Sequence, residues 1–391
     1  MKSLYKNIPE SIKRILRKTE FYKKRNIRKK VIVKNSEINH ILDEAPALLL
    51  EKKFLKFPHV GIIKSQNNNL VEGYVNPKAS WLRYERFCKN NNIPYDFLDI
   101  KKSNWIQKAE KFDIIVCHTE SSPAYQEMME SKIYILEKLM GKTCFPSFHE
   151  LWQYENKNRA NYLYQYLNLP LIPTIVTNCK DEAIEIAKNA HYPIITKTKI
   201  GSSSKGVEKI RNEYQLNRNI KRIFSRKGQK TYFPYLRQKD YLYVQSFIDD
   251  AHFDLRIMLV GNMAFGYYRY PRKNDFRASG SGHTEKKEIP REALLLAIEV
   301  RQKLKSRQMG VDLLFSPKTK QYLIIETSIF NQIDTPVQFA LDGIPGYYDI
   351  SDVNNIKFKK GKYWVQEIMI RDLILEWIKQ KTIVDSREIS N

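Results

Sequence analysis

Apolar positions along this chain change period in blocks, and each block predicts its own kind of element. Near the start, Tyr5, Ile8, Ile12, Ile15 and Leu16 fall at helical spacing, flanked by Lys13, Arg14, Arg17 and Lys18. Asn7-Ile8-Pro9-Glu10 offers a cap with proline in the first turn, where its missing N–H is tolerated. Regular alternation begins near Val60, with strands over 60–64, 95–98 and 113–117 and helices over 81–90 and 125–140. Short apolar runs separated by helices predict a parallel sheet with crossover connections. From Lys157 the texture changes. Helices are predicted over 159–169 and 181–190, a strand over 193–198, then a Ser-rich loop and a basic helical stretch over 217–230. A strand over 241–248 precedes two more, 253–260 and 263–270, which flank the two-residue turn Gly261-Asn262. A helix over 291–307, strands over 311–315 and 322–327, and an amphipathic helix over 363–381 complete the pattern, with no internal repeat.

With 391 residues, 42% of them hydrophobic, the chain can bury the cores of two or three domains. It has no run of about 18 uncharged apolar residues, which argues against a membrane span. The basic N-terminus lacks the apolar core and cleavage site of a secretory signal. Cys88, Cys117, Cys144 and Cys179 keep no metal-ligand spacing and read as reduced thiols, which favours the cytoplasm. The net charge of +24 is uneven: residues 1–30 carry 12 Lys/Arg against Glu10 and Glu20. Such an excess implies an acidic partner, be it anionic lipid, nucleic acid or a polyanionic substrate. The apolar stripe among the basic residues favours an anionic membrane surface, with docking on the first domain as the plain alternative. Nucleic acid is disfavoured, since no recognised binding module accompanies the charge.

Three groups of residues carry candidate chemistry. Lys197 ends an apolar strand, where an ammonium is costly unless an anion meets it. The following Gly201, Ser202, Ser203 and Ser204 can fold N–H and hydroxyl groups around phosphate oxygens, although the spacing is not that of a P-loop. Asp312 and Glu326 oppose each other if the two strands around residues 316–320 pair with Phe315 near Leu323. Opposed carboxylates repel, so removing either charge should relieve the ligand-free protein, whereas Mg2+ would turn the pair into a site. Asp254 and Arg256 share one strand face by period-2 alternation, and Arg269, Arg272 and Arg277 follow the turn.

In this order the pieces resemble the ATP-grasp superfamily, in particular its ribosomal-protein glutamate ligase and glutathione synthetase branch. The resemblance covers residues 58–350 and is strongest over 193–328. It implies an α/β chain of the ATP-grasp fold: a preceding α/β parallel-sheet domain and two α+β subdomains clasping a nucleotide. The expected divisions are a basic extension at 1–57, the preceding domain at 58–150, the ATP-grasp domain at 151–350 with a small lid at about 175–250, and a helical tail at 351–391. Lys157 and Lys197 would then grip the phosphates of ATP, with Gly201–Ser204 closing over them. Gln245 and the backbone at Ile248 would hold adenine, Asp254 the ribose, and Asp312, Glu326 and Ser328 a Mg2+ ion. Arg256 and Arg277 would steady an acyl phosphate formed from a substrate carboxylate and attacked by an amine. Ser246 replaces the usual acid after the hinge glutamine, Ser328 replaces the metal-site Asn (with Asn331 as a substitute ligand), and 277–282 departs from the usual Arg-x-Asn. The expected substrates are a small-molecule or glycan carboxylate and an amine. Amino-acid ligation on soluble substrates, a kinase activity and a non-catalytic ATP-binding role are the alternatives.

Overall fold

Strand runs without polar alternation belong in sheets covered on both faces, and the first unit is built on such runs. In the computed structural model, which describes residues 33–51, 56–64, 74–201, 206–273, 275–330, 335–336 and 340–388, its outlying ribbon is β1 (Val33–Lys34) paired with β3 (Tyr74–Val75). The expectations for residues 1–30, for Ser202, Ser203 and Ser204, and for Asn331 lie outside the described residues. The main sheet holds β2 (Val60–Ile62), β4 (Tyr95–Phe97), β5 (Ile114–Val116) and β6 (Thr143–Phe145), all parallel, in the order β4-β2-β5-β6. After the short α1 (Ile38–Leu42), the crossovers run through α2 (Ser80–Asn90), α3 (Trp105–Ala109) and α4 (Pro123–Tyr134). The strand order reverses between β2 and β5, the point at which open α/β sheets commonly take ligands.

Residues 33–51 pack with this unit instead of extending from it. Leu42 is buried in its core, Leu50 N–H donates to the Asn91 side chain (2.7 Å), and Arg86 donates to the Ala45 carbonyl (2.9 Å).

A capping box of Ser147 and Glu150 starts α5 (Phe148–Gln153), and the Asn156 side chain caps α6 (Lys157–Tyr166). The next unit has its own small core. β7 (Thr174–Thr177), α7 (Lys180–Asn189), β8 (Ile194–Lys197), β9 (Val207–Ile210), α8 (Glu213–Ile223) and β10 (Leu242–Ser246) form an antiparallel sheet, ordered β7-β10-β8-β9, with Ala183, Ala187, Leu216 and Ile220 of the helices buried against it. Gly206 turns the chain into β9 at φ +76°, and a Cβ there would lie 2.1 Å from the Thr198 hydroxyl.

The third unit is a larger antiparallel sheet. Its main strands are β11 (Asp254–Val260), β12 (Met263–Arg269), β13 (Gln308–Ser316), β14 (Gln321–Ser328) and β15 (Ile344–Asp349), ordered β14-β13-β11-β12-β15, with α9 (Arg291–Lys303) against them. Gly261-Asn262 makes the predicted hairpin turn, with Val260 opposite Met263 and Gly261 at φ +50°.

The expected amphipathic tail is different. In α10 (Val365–Glu388) Ile368, Met369, Ile370, Leu373 and Ile374 are all buried, because the helix lies between the first unit and the hairpin. Covered on more than one side, it buries apolar positions that do not fall on a single stripe. Trp364 Nε1 donates to Leu42 O (2.8 Å) and Arg86 to Glu367 (2.7 Å). Among the described residues, no helix is long and apolar enough to cross a membrane.

Candidate active site

Two cavities meet where the lid-like second unit faces the larger sheet. The first has a volume of about 340 Å³. Lys197, the last residue of β8, reaches it from one sheet, and Asp312 and Glu326 reach it from the other. Lys197 is only 6% exposed, and burial pushes its ammonium down to about 8 despite the pull of Glu326. Lys157, at the start of α6, donates to the Gly201 carbonyl (2.7 Å) and stands 3.9 Å from Glu326. The Lys157 N–H also donates to Lys199 O (2.8 Å), so the helix start and the glycine loop are tied together.

Gln245 and Ile248, from β10 and just beyond it, line the far end of this cavity. Gln245 donates to the Thr174 hydroxyl (2.9 Å). Ser246, where an acid is usual, uses its N–H on Pro173 O (2.9 Å). Phe247 and Phe276 also line this cavity, with ring centroids 5.8 Å apart, and the Lys209 ammonium lies 3.5 Å from the Phe247 ring centroid.

Asp312 and Glu326 do oppose each other, by a route the alternation does not predict. Phe315 faces Tyr322 and Leu313 faces Ile324, which alone would offset the two acids. A β-bulge at Ile325 restores the pairing of Asp312 with Glu326. The expected like-charge repulsion is absent. Asp312 is 2% exposed and accepts from Arg256 Nε (2.7 Å), Arg256 NH2 (2.7 Å) and Arg269 NH2 (2.8 Å). Burial opposes its charge, yet these two guanidiniums hold its carboxyl well below the usual range. Arg269 also donates to Asp254, whose own carboxyl burial and the neighbouring Asp312 raise. Asp254 lines the first cavity as part of this chain of charges, so one of its oxygens is committed to Arg269.

The two arginines expected to act together are not brought together. Arg256 lines the second cavity, of about 170 Å³. Arg277 lines the first, where it is held on Asp275 (2.9 Å). The guanidinium that joins Arg256 on Asp312 is Arg269, which the site reading passed over. Its signal lay in the turn: a two-residue hairpin at 261–262 sets Asp254 opposite Arg269. Ser328 lines the second cavity, but its hydroxyl donates to Phe330 O (3.1 Å) and accepts from Phe330 N (3.3 Å).

The pair fits a hard dication through its chemistry: two carboxylates paired across neighbouring strands, both lining the first cavity, with the Glu326 side chain 38% exposed. Among the described residues no group of three or more His, Cys, Asp or Glu could hold a metal unaided. Phosphate oxygens and water would therefore complete the shell.

Known proteins share the sequence and the fold around this arrangement. Residues 157–335 match the family model of the RimK-like ATP-grasp domain. The chain is 25% identical over 229 residues to an alpha-aminoadipate–LysW ligase of Saccharolobus solfataricus, covering 58% of this chain and 72% of that protein. The same ligase of Sulfurisphaera tokodaii is 28% identical over 249 residues, covering 63% and 76%. The structure of D-alanine–D-alanine ligase from Bacillus anthracis in complex with ATP superimposes with a TM-score of 0.50 at 13% identity, over 84% of this chain and 99% of that one. Two sheets closing on Lys197, Asp312 and Glu326 give the chain the ATP-grasp fold, and residues 157–335 within it match a RimK-like ATP-grasp domain.

Proposed function

We propose that this chain is an ATP-dependent carboxylate–amine ligase that works through an acyl phosphate. The observation that carries the reading is the junction of the two cavities. Lys157, Gly201 and Glu326 line both, so the terminal phosphate of a nucleotide in the first would face a substrate in the second. Adenine would lie against Gln245 and Ile248 and the ribose near Asp254. Lys157 and Lys197 would meet phosphate oxygens under a loop of Gly201, Ser202, Ser203 and Ser204. Asp312 and Glu326, with Ser328 beside them, would hold Mg2+, which neutralises charge on the transferring phosphoryl group when bound.

The substrate carboxylate attacks the γ-phosphorus and ADP leaves. An amine then attacks the acyl carbon, loses a proton and expels phosphate. The protein supplies position, charge and exclusion of water, and no side chain serves as nucleophile. Arg256, which lines the second cavity, would steady the acyl phosphate, and Arg277 would serve from the first. The relatives are named as ligases of an amino acid, which supports an amino-acid substrate over a glycan.

The test is incubation with ATP, Mg2+ and hydroxylamine across a panel of carboxylates that includes amino acids. A hydroxamate formed together with ADP is expected from at least one of them. ADP release by the same carboxylates with no hydroxamate from any of them would overturn the reading.

The charge of residues 1–30 supports a peripheral contact with an anionic membrane from the cytoplasmic side. The full chain should sediment with phosphatidylserine vesicles at low salt, while a chain starting at residue 33 should stay in solution. Equal sedimentation of the two would exclude the segment as the anchor. Each basic residue near the surface contributes about 1 kcal/mol, so the difference should be large.

A further inference from the structure

The second cavity contains two polar groups that the proposed chemistry does not use. Gln153, the last residue of α5, is 4% exposed, lines the cavity, and has no partner for either its Oε1 or its Nε2. Buried carboxamides are normally satisfied, so both atoms call for a ligand. Two residues on, Glu155 lines the same cavity from the link between α5 and α6. Its φ of +53° puts it in the left-handed region, which residues with a Cβ adopt rarely and which concentrates at functional sites. Burial lifts its carboxyl above the usual range against the pull of Lys157.

The other charged groups around this cavity already have work in the proposed reaction. Lys157 and Arg256 serve phosphate, and Glu326 serves the metal. What is left is one carboxylate beside one unpaired carboxamide, in a cavity half the volume of its neighbour. A carboxylate shielded from water is complementary to a cation that donates hydrogen bonds. The carboxamide adds an acceptor for a further N–H and a donor for an oxygen of the same molecule. The small volume excludes a bulky ligand.

We propose that Glu155 and Gln153 bind the ammonium group of an amino-acid-sized substrate in this second cavity. The roles left to the other charged groups, and what that ammonium does, rest on the ligase reading; its binding is tested by itself. It belongs either to the amine that attacks the acyl phosphate or to an amino acid whose carboxylate is being activated.

Calorimetry on the full chain, with ADP and Mg2+ present, would use the twenty proteinogenic amino acids as probes and glutarate as an ammonium-free control. At least one amino acid should bind, and Glu155→Gln should weaken it at least tenfold while leaving glutarate unchanged. Gln153→Leu should weaken the same amino acid several-fold. Glu155→Gln keeps the side-chain shape and removes a buried charge, so its melting temperature should be no lower than wild type. Glu155→Asp, tested beside it, should keep part of the affinity. The proposal is overturned if no amino acid binds the wild-type protein, or if Glu155→Gln binds them as tightly as wild type does.

Hydroxylamine trapping separates the two sources. A fall in hydroxamate from amino acids in Glu155→Gln assigns the ammonium to the activated substrate. Unchanged hydroxamate with a raised KM for the amine assigns it to the attacking amine. If the wild-type protein binds amino acids yet forms no hydroxamate from any carboxylate, the ligase reading fails and the ammonium site stands.

Discussion

Asp312→Asn is expected to abolish turnover and to lower stability by about 3–5 kcal/mol, the usual cost of removing one partner from a buried ion pair. Asp312 is the single carboxylate on which Arg256 and Arg269 converge, and Arg269 is itself nearly buried. Asparagine keeps the shape and removes the charge, leaving two guanidiniums with one buried acid, Asp254, between them. This reverses the expectation from the opposed acids alone, which was relief of repulsion. Glu326→Gln provides the contrast: Glu326 is partly exposed and bonds neither arginine, so that variant should lose turnover and melt close to wild type. Denaturant unfolding of both variants without nucleotide settles the matter, and an Asp312→Asn midpoint at or above that of wild type would refute the clamp.

Lys197→Met should move affinity and stability in opposite directions. A charge-assisted contact to phosphate is worth about 1.5–3 kcal/mol, so ATP affinity by calorimetry should fall roughly 10- to 150-fold. The ligand-free protein should melt higher than wild type at pH 7, because methionine fills the same space without a buried ammonium. The pH dependence has a definite sign. The folded pKa of about 8 lies below the 10.5 of an ordinary lysine, so the unfolded chain binds the extra proton between those values. Stability of the wild type therefore rises with pH through that window, and its deficit against Lys197→Met, fully present below pH 8, should shrink there. A variant less stable than wild type at pH 7, or one with unchanged ATP affinity, would rule out the role.

Periodicity located the buried parallel strands at 60–62 and 114–116 and the edge strand at 95–97, and the 261–262 turn set the hairpin register. It passed over β6, β7 and β9, and α5, whose start is marked by a capping box and not by an apolar stripe. The lysines and acids of the site were legible because a charge on an apolar strand is conspicuous. The pairing of Asp312 with Glu326 was legible too, though not the extra residue at Ile325 that sets its register. Arg269 was missed because it meets Asp312 through cross-strand geometry. Glu155 and Gln153 left no trace of a pocket in the sequence, because their cavity forms only when the link between α5 and α6 faces the larger sheet. The segment 365–374 was misjudged for a definite reason: a helix wanted on several sides has no single stripe to read.

That helix also dictates an order of events during synthesis. Leu42, Val60, Phe87 and Ile114 share one apolar cluster with Ile368, Met369, Leu373 and Trp377. The parallel-sheet unit leaves the ribosome before the helix that completes it, which lies far downstream in the chain. Domains usually fold in the order they are made. Here the earliest one must wait with an uncovered apolar face, and a chaperone that shields such faces would find its client in the half-made chain.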